Sequence, residues 1–267
     1  MRIVYLLVVL TLFFAILAPA ASDTATPALR LPFDSAQGKR SGQAPEPPKI
    51  IAYVMWDPSY LYVAARVPDP MVIGINQEPM SPAFDDDSLQ IDLNLGDPYS
   101  LIPNPKTYRV VISAAGGCMI EKGNAGGEWR PDPAWLMGLK YEVRVEGTLN
   151  KGGDADQGYI IEAALPWKLM GATPQNGTII GFNLTCFMRG ESETFASWSS
   201  EIEARADLNN PSKWGRMQLR LGGQPEAAQQ DAVICPSAMV SPAIDGSLAA
   251  DEWMGASTIT IAKPIKR

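Results

Sequence analysis

The stretch Phe84-Asp85-Asp86-Asp87-Ser88-Leu89-Gln90-Ile91-Asp92-Leu93-Asn94-Leu95 decides how this chain is read. From Ser88 it alternates without a break, with Leu89, Ile91, Leu93 and Leu95 on one side and Ser88, Gln90, Asp92 and Asn94 on the other. Successive side chains face opposite sides of a strand, so the pattern predicts a half-buried β-strand. Its outward side is polar, hydrogen-bond capable and mostly uncharged. A triple-aspartate loop and an aromatic lead into it. That polar side and its entry loop are the first candidates for ligand chemistry.

Upstream, Ile50–Trp56 and Tyr60–Val67 are β-rich runs joined by Asp57-Pro58-Ser59, a turn signal that makes them a hairpin. Pro68-Asp69-Pro70 ends the second run, because proline cannot donate to a ladder. Downstream, Thr107–Ser113 is the next strand, with Arg109 opposite Tyr108, Val110 and Ile112. A glycine-rich stretch from 116 to 127 leads to Trp129 and Trp135; no helical pattern follows it, so a phosphate-cradling loop is not supported. Residues 140–149 alternate again, with Lys140, Glu142, Arg144 and Glu146 outward. Residues 158–165, 179–189, 195–198 and 214–221 read as further strands, and 166–171 as one helical turn with proline first and glycine last. About eight or nine short strands and almost no helix predict an all-β fold, an antiparallel β-sandwich of jelly-roll or immunoglobulin-like kind.

The chain has 267 residues and a formal charge of −7. Residues 1–21 read as a secretory signal peptide, with Arg2, an apolar run and Ala18-Pro19-Ala20 as a cleavage site; an uncleaved anchor is the alternative. The expected location is therefore secreted, periplasmic or at the cell surface. Residues 22–49, rich in Pro, Ala, Gly, Ser and Gln, have the composition of a disordered linker. An acidic chain without a Lys/Arg cluster has no electrostatic footprint for nucleic acid, and none for a membrane once the signal is removed. Histidine is absent. That removes Ser-His-Asp and Cys-His hydrolases and His-ligated zinc, copper or haem. Carboxylate chemistry, oxygen-ligated calcium or binding without catalysis are left. Of the three cysteines, Cys118 and Cys186 could pair and leave Cys235 over, or all three could be unpaired small hydrophobes.

Seven pieces in order carry a resemblance: Trp56-Asp57-Pro58-Ser59-Tyr60-Leu61-Tyr62-Val63, Asp69-Pro70, Asp87-Ser88-Leu89-Gln90-Ile91, Tyr108-Arg109-Val110, the run from Gly158 to Trp167, Gly181-Phe182-Asn183, and Pro211-Ser212-Lys213-Trp214-Gly215. Together they resemble the family 9 carbohydrate-binding modules over residues 50–222. The resemblance implies a sugar-binding sandwich, usually attached to a xylanase or another glycoside hydrolase, with a polysaccharide or oligosaccharide as partner. It implies two tryptophans stacking on a terminal sugar, polar side chains on its hydroxyls, and calcium bracing the loops. Phe84 falls at the first stacking position and Leu208 at the second. Gln90 stands where a binding glutamate is usual, and Arg109 and Lys140 match basic positions that hold the ligand. Asp69, Asp85, Asp86 and Asp87 are the candidate calcium ligands, since that hard cation prefers oxygen. Trp129 and Trp135 are further candidates for a binding platform; Trp56, Trp167, Trp198 and Trp214 are expected in the core.

Residues 223–241 read as a second linker. The segment Ile244-Asp245-Gly246…Asp251-Glu252-Trp253 is similar to the one with which family members open, so 242–267 is either the start of a second, truncated module or a permuted strand of the first. The function expected is non-catalytic carbohydrate binding in an exported xylan- or cellulose-degrading system. Three alternatives stand beside it: a sandwich that has lost sugar binding, with Leu208 as its motive; a glycosidase using Asp87 and Glu162; and a haem carrier through Met188 and a lysine. A glycosidase needs paired acids across a cleft, which solvated sheet faces give no reason to expect. No haem is expected.

Overall fold

The alternation around Asp57 builds what it predicts. Ile50–Trp56 (β1) and Tyr60–Val67 (β2) pair antiparallel from Ile51↔Arg66 to Trp56↔Leu61. Asp57 holds their turn, its Oδ1 accepting from the backbone N–H of Ser59 at 2.7 Å and Tyr60 at 2.8 Å. The computed structural model describes residues 49–190 and 193–266. The expected signal peptide and all of the first linker but its last residue lie outside them.

The remaining strands follow in order: Ser88–Asn94 (β3), Thr107–Ser113 (β4), Cys118–Gly123 (β5), Trp129–Pro131 (β6), Lys140–Glu146 (β7), Gly158–Pro166 (β8), Ile179–Met188 (β9), Thr194–Ser197 (β10), Gly215–Arg220 (β11), Ala232–Pro236 (β12), Ser257–Ile261 (β13) and Lys263–Ile265 (β14). One four-residue α-helix, Ala250–Trp253 (α1), interrupts them near the end. The strands form two sheets, one in the order β13-β1-β2-β8-β7, the other in the order β12-β11-β9-β3-β4-β5-β6 with β10 on β9 and β14 on β10. All named pairings are antiparallel except β11 with β12. This is the all-β sandwich that the alternation predicts.

The apolar sides of both sheets meet in one core. Val54, Leu61, Val63, Leu89, Ile91, Leu93, Val110, Ile161, Phe182 and Leu184 are all within it and almost fully buried. Indole N–H groups tie sheet ends to loops, Trp56 to the carbonyl of Cys235 and Trp167 to that of Asp57, each at 3.0 Å. Trp56, Trp167, Trp198 and Trp214 are buried as expected, and Trp135 joins them, packed 5.3 Å from the Tyr108 ring. Gly158 opens β8 at φ +121, where a Cβ would meet the Val67 carbonyl oxygen at 2.0 Å, so only glycine fits that approach. The three cysteines are buried and free.

Four expectations change. The glycine-rich stretch contains β5 and leads into β6; its inward residues Cys118 and Ile120 alternate with Met119 and Glu121, a pattern masked by the flanking glycines. The helical turn at 166–171 is a hydrogen-bonded turn instead, closed by Ala172 N–H on the Trp167 carbonyl at 3.0 Å. The second linker contains β12, whose Val233 and Cys235 enter the core. And residues 242–266, left open between a second module and a permuted strand, pack with this sandwich: β13 is antiparallel to β1 from Ile50↔Ile261 to Val54↔Ser257.

The reason the tail docks is Glu162, on the outer side of β8. It is fully buried, and it accepts from the backbone N–H of Asp245 at 3.0 Å and Gly246 at 2.8 Å and from Trp253 Nε1 at 2.8 Å. Trp253 and Ala256 then cover Met55, Tyr62, Ala64 and Ala164 in a second apolar cluster. After β13 the chain crosses to the other sheet, where β14 pairs with β10 and Lys266 exchanges backbone bonds with Glu203 and Arg205.

Candidate functional site

β3 lies at the middle of the larger sheet, and its polar side forms a lane with its neighbours. The register sets Asp92 between Arg109 and Asn183, Gln90 between Val111 and Thr185, and Arg109 beside Glu121. Arg109 Nε donates to Asp92 Oδ1 at 2.8 Å and Gln90 Nε2 to Asp92 Oδ2 at 2.7 Å. Asn183 donates to Thr185 at 3.1 Å and accepts from the Ser197 hydroxyl and the Ser199 N–H, both at 3.1 Å. No fully buried side-chain nitrogen or oxygen of the lane is left without a partner, as low-dielectric burial requires. Burial pushes the Asp92 carboxyl up, and the Arg109 charge with the Gln90 and Arg109 hydrogen bonds pulls it back.

Contrary to expectation, the lane is not an open face. All seven residues of β3 are buried. The segment after β10 lies over them: Arg109 Nη2 donates to the Leu208 carbonyl at 2.8 Å, and Nη1 to Asn209 Oδ1 at 3.2 Å. Asp207 braces this segment, accepting from the N–H groups of Glu203 and Ala204 at 2.9 Å and pairing with Lys213 at 2.6 Å. Leu208 is buried in a cluster with Phe187, Phe195, Ile202, Trp214 and Ile265 of β14.

What reaches solvent is one edge of the lane. Trp129 is half-buried, and its ring is fixed three ways: Nε1 donates to Asn209 Oδ1 at 2.9 Å, the Arg109 guanidinium lies 4.2 Å from the ring centroid, and Trp214 stacks at 6.5 Å and 18°. Glu121 stands 4.0 Å from Arg109, its carboxyl raised by burial and lowered by that guanidinium. The edge thus offers an indole held in place, an amide, a guanidinium and a carboxylate. A pyranose needs an aromatic surface for its C–H face and mixed donors and acceptors for its hydroxyls.

The structure therefore unites Gln90, Arg109 and the candidate platform residue Trp129, but separates Lys140, Phe84 and the candidate calcium ligands from them. Lys140 is on β7, at the edge of the other sheet. Alternation placed it outward correctly, but outward of a different sheet. Phe84 is half-buried in the 3-10 turn Ala83–Asp85, where its carbonyl accepts from the Arg189 guanidinium. Glu121 and Asn209 were missed. Glu121 could have been found from the alternation of 118–121, Asn209 from its place beside the expected second stacking position.

Three of the four aspartates expected as calcium ligands are engaged by donors of the protein. Among the described residues no three acidic or cysteine side chains converge as a metal-ligand group. Asp85 is exposed; Asp86 takes the Asn76 N–H and the Ser113 hydroxyl at 2.8 and 2.5 Å; Asp69 takes the Met71 N–H at 2.9 Å. Asp87 accepts from the backbone N–H of Ile73 at 2.6 Å and from that of Arg189. Asp87 and Glu162 share no cleft either, since Glu162 is covered by the tail on the opposite sheet.

Asp87 carries a pH signature. Burial, offset by its two backbone bonds and reinforced by Asp69 and Asp86, pushes its carboxyl up to about 7. Its unfolded value is about 4, so the native state holds this proton more tightly than the unfolded one. The stabilisation is full below about pH 4 and is lost as pH rises to about 7, by about 4 kcal/mol for a shift of this size. In thermal melts across that window, Asp87→Asn should be markedly flatter than the parent. Parallel curves would assign the slope to other groups.

Comparison with known proteins places these features. The family described as Carbohydrate family 9 binding domain-like matches residues 37–221. An endo-1,4-beta-xylanase A of Thermotoga maritima is 27% identical over 179 residues, covering 62% of this chain and 13% of the xylanase. An endo-1,4-beta-xylanase A of Thermoanaerobacterium saccharolyticum is 30% identical over 137 residues, covering 49% and 9%. The chain thus spans about a tenth of the length of these relatives. A family 9 carbohydrate binding module of Caldicellulosiruptor kristjanssonii, solved with cellotriose, is 20% identical with a TM-score of 0.47, covering 64% of this chain and 74% of that one.

Proposed function

The chain belongs to the family 9 carbohydrate-binding domains, and from that premise we propose that it binds glycan chains without cleaving them, as a module of an exported glycan-degrading system. The partners in this reading are a xylan- or cellulose-type oligosaccharide and a glycoside hydrolase that works on the same polymer. The xylanase relatives support that setting.

The observation that carries the reading is Trp129. An indole left half-exposed, yet immobilised by Asn209, Arg109 and Trp214, loses little conformational freedom when a sugar stacks on it. Arg109, Asn209 and Glu121 supply donors and acceptors around it, while Gln90 and Asp92 act behind them by fixing Arg109.

Calorimetric titration with xylo- and cello-oligosaccharides tests the proposal. Trp129→Ala should weaken binding about thirtyfold, equivalent to about 2 kcal/mol for an aromatic anchor. Unchanged affinity in that variant would remove the site. A second reading, a sandwich that has lost sugar binding, is favoured by Leu208, which fills the expected second stacking position and is buried. Failure of the parent chain to bind any glycan tested would select it.

A further inference from the structure

Lys140, separated from the lane, lines an open groove of about 650 Å³ on the outer side of the smaller sheet. That volume is within the range of small-ligand sites. Tyr60, Tyr62 and Lys140 line it together with residues 241–244 of the tail. The groove has this second wall because Glu162 anchors the tail beside it.

Its chemistry is one-sided. The acceptor in the groove, Asp57, is saturated: Oδ1 takes the N–H groups of Ser59 and Tyr60, and Oδ2 takes the hydroxyls of Tyr62 at 2.6 Å and Ser241 at 2.7 Å. Lys140 is exposed, its Nζ lies 4.9 Å over the Tyr60 ring, and among the described residues it makes no ion pair. The half-exposed Tyr60 ring packs against Tyr62 at 5.8 Å. An aromatic ring with an unpaired ammonium beside it suits a pyranose whose C–H face meets the ring and whose substituent carries negative charge.

We propose that this groove is a second glycan site, specific for a uronic acid residue, with Tyr60 as the stacking ring and Lys140 as the carboxylate donor. The inference rests on the glycan-binding reading but uses a surface on the other sheet from Trp129. Neutral hydroxyls would use the same ring, but they would leave the ammonium without a charged partner.

The test compares neutral xylo-oligosaccharides with glucuronate-substituted ones of the same length by calorimetry. The parent chain should favour the acidic ligand by about tenfold, as expected for one charge-assisted pair at a partly exposed site. Lys140→Gln, a change at an exposed position, should bring the two affinities together, and Tyr60→Ala should weaken the acidic ligand further. Absence of a preference in the parent chain, or its persistence in Lys140→Gln, overturns the proposal. Neutral-ligand binding in Trp129→Ala reports on the first site separately. A preference that depends on Lys140 in a chain whose neutral binding ignores Trp129 would keep the groove and discard the first site.

Discussion

Glu162→Leu is expected to lower stability by about 3–5 kcal/mol, because three N–H donors that converge on one buried carboxylate lose their acceptor at once. The Gly246 N–H and Trp253 Nε1 bonds are buried, and Trp253 itself closes the apolar cluster over Met55 and Tyr62. Glu162→Gln should cost less: an amide oxygen still accepts, but its NH₂ faces a donor. The physical consequence is release of the tail from the outer sheet face. In chemical denaturation the loss should appear in the midpoint, and limited proteolysis should cut after Val240 sooner than in the parent chain. A leucine variant within 1 kcal/mol of the parent would mean that β13 pairing alone holds the tail.

The second large effect is at Arg109. Arg109→Leu leaves Asp92, which has no exposed surface, as a buried charge without its partner, and deletes the bonds that hold Leu208 and Asn209. Breaking a buried pair from one side costs about 3–5 kcal/mol, whereas replacing both partners by apolar groups is often close to neutral. The double variant Arg109→Leu with Asp92→Leu should therefore recover much of the loss, with an interaction energy of about 2–3 kcal/mol in the cycle. Additive losses would show that Arg109 acts through the covering segment and not through Asp92. Either outcome should loosen the Trp129 ring, which loses the Arg109 guanidinium and that group's bond to Asn209 but keeps its own bond to Asn209 and its stack on Trp214.

The fold was legible because its strands alternate. Leu89, Ile91 and Leu93 against Gln90 and Asp92 set the central strand, and Leu61, Val63 and Ala65 set its opposite number in the other sheet. Alternation was masked where a short strand is flanked by glycine, as at Cys118–Gly123, and silent where an edge strand pairs parallel, as at Ala232–Pro236. It was equally silent about which sheet a polar side chain faces away from. Lys140 and Arg109 have the same local pattern, and only long-range pairing puts them on different sheets. The site was less legible still, because its shape depends on a covering segment. Nothing local to Gln90 or Asp92 signals that residues 199–209 lie over them. Glu162 is structural for a reason found in the tail, more than eighty residues away.

Nitrogen–proton correlation spectra of the chain during titration with cello- or xylo-oligosaccharides test the central claim most directly. The Trp129 indole N–H, bonded to Asn209, and the Arg109 Nε–H, bonded to Asp92, report on the two sides of the proposed edge. Saturable shifts of both signals with one dissociation constant, lost in Trp129→Ala, are the predicted result. Sugar-dependent shifts that leave these two signals in place would contradict it.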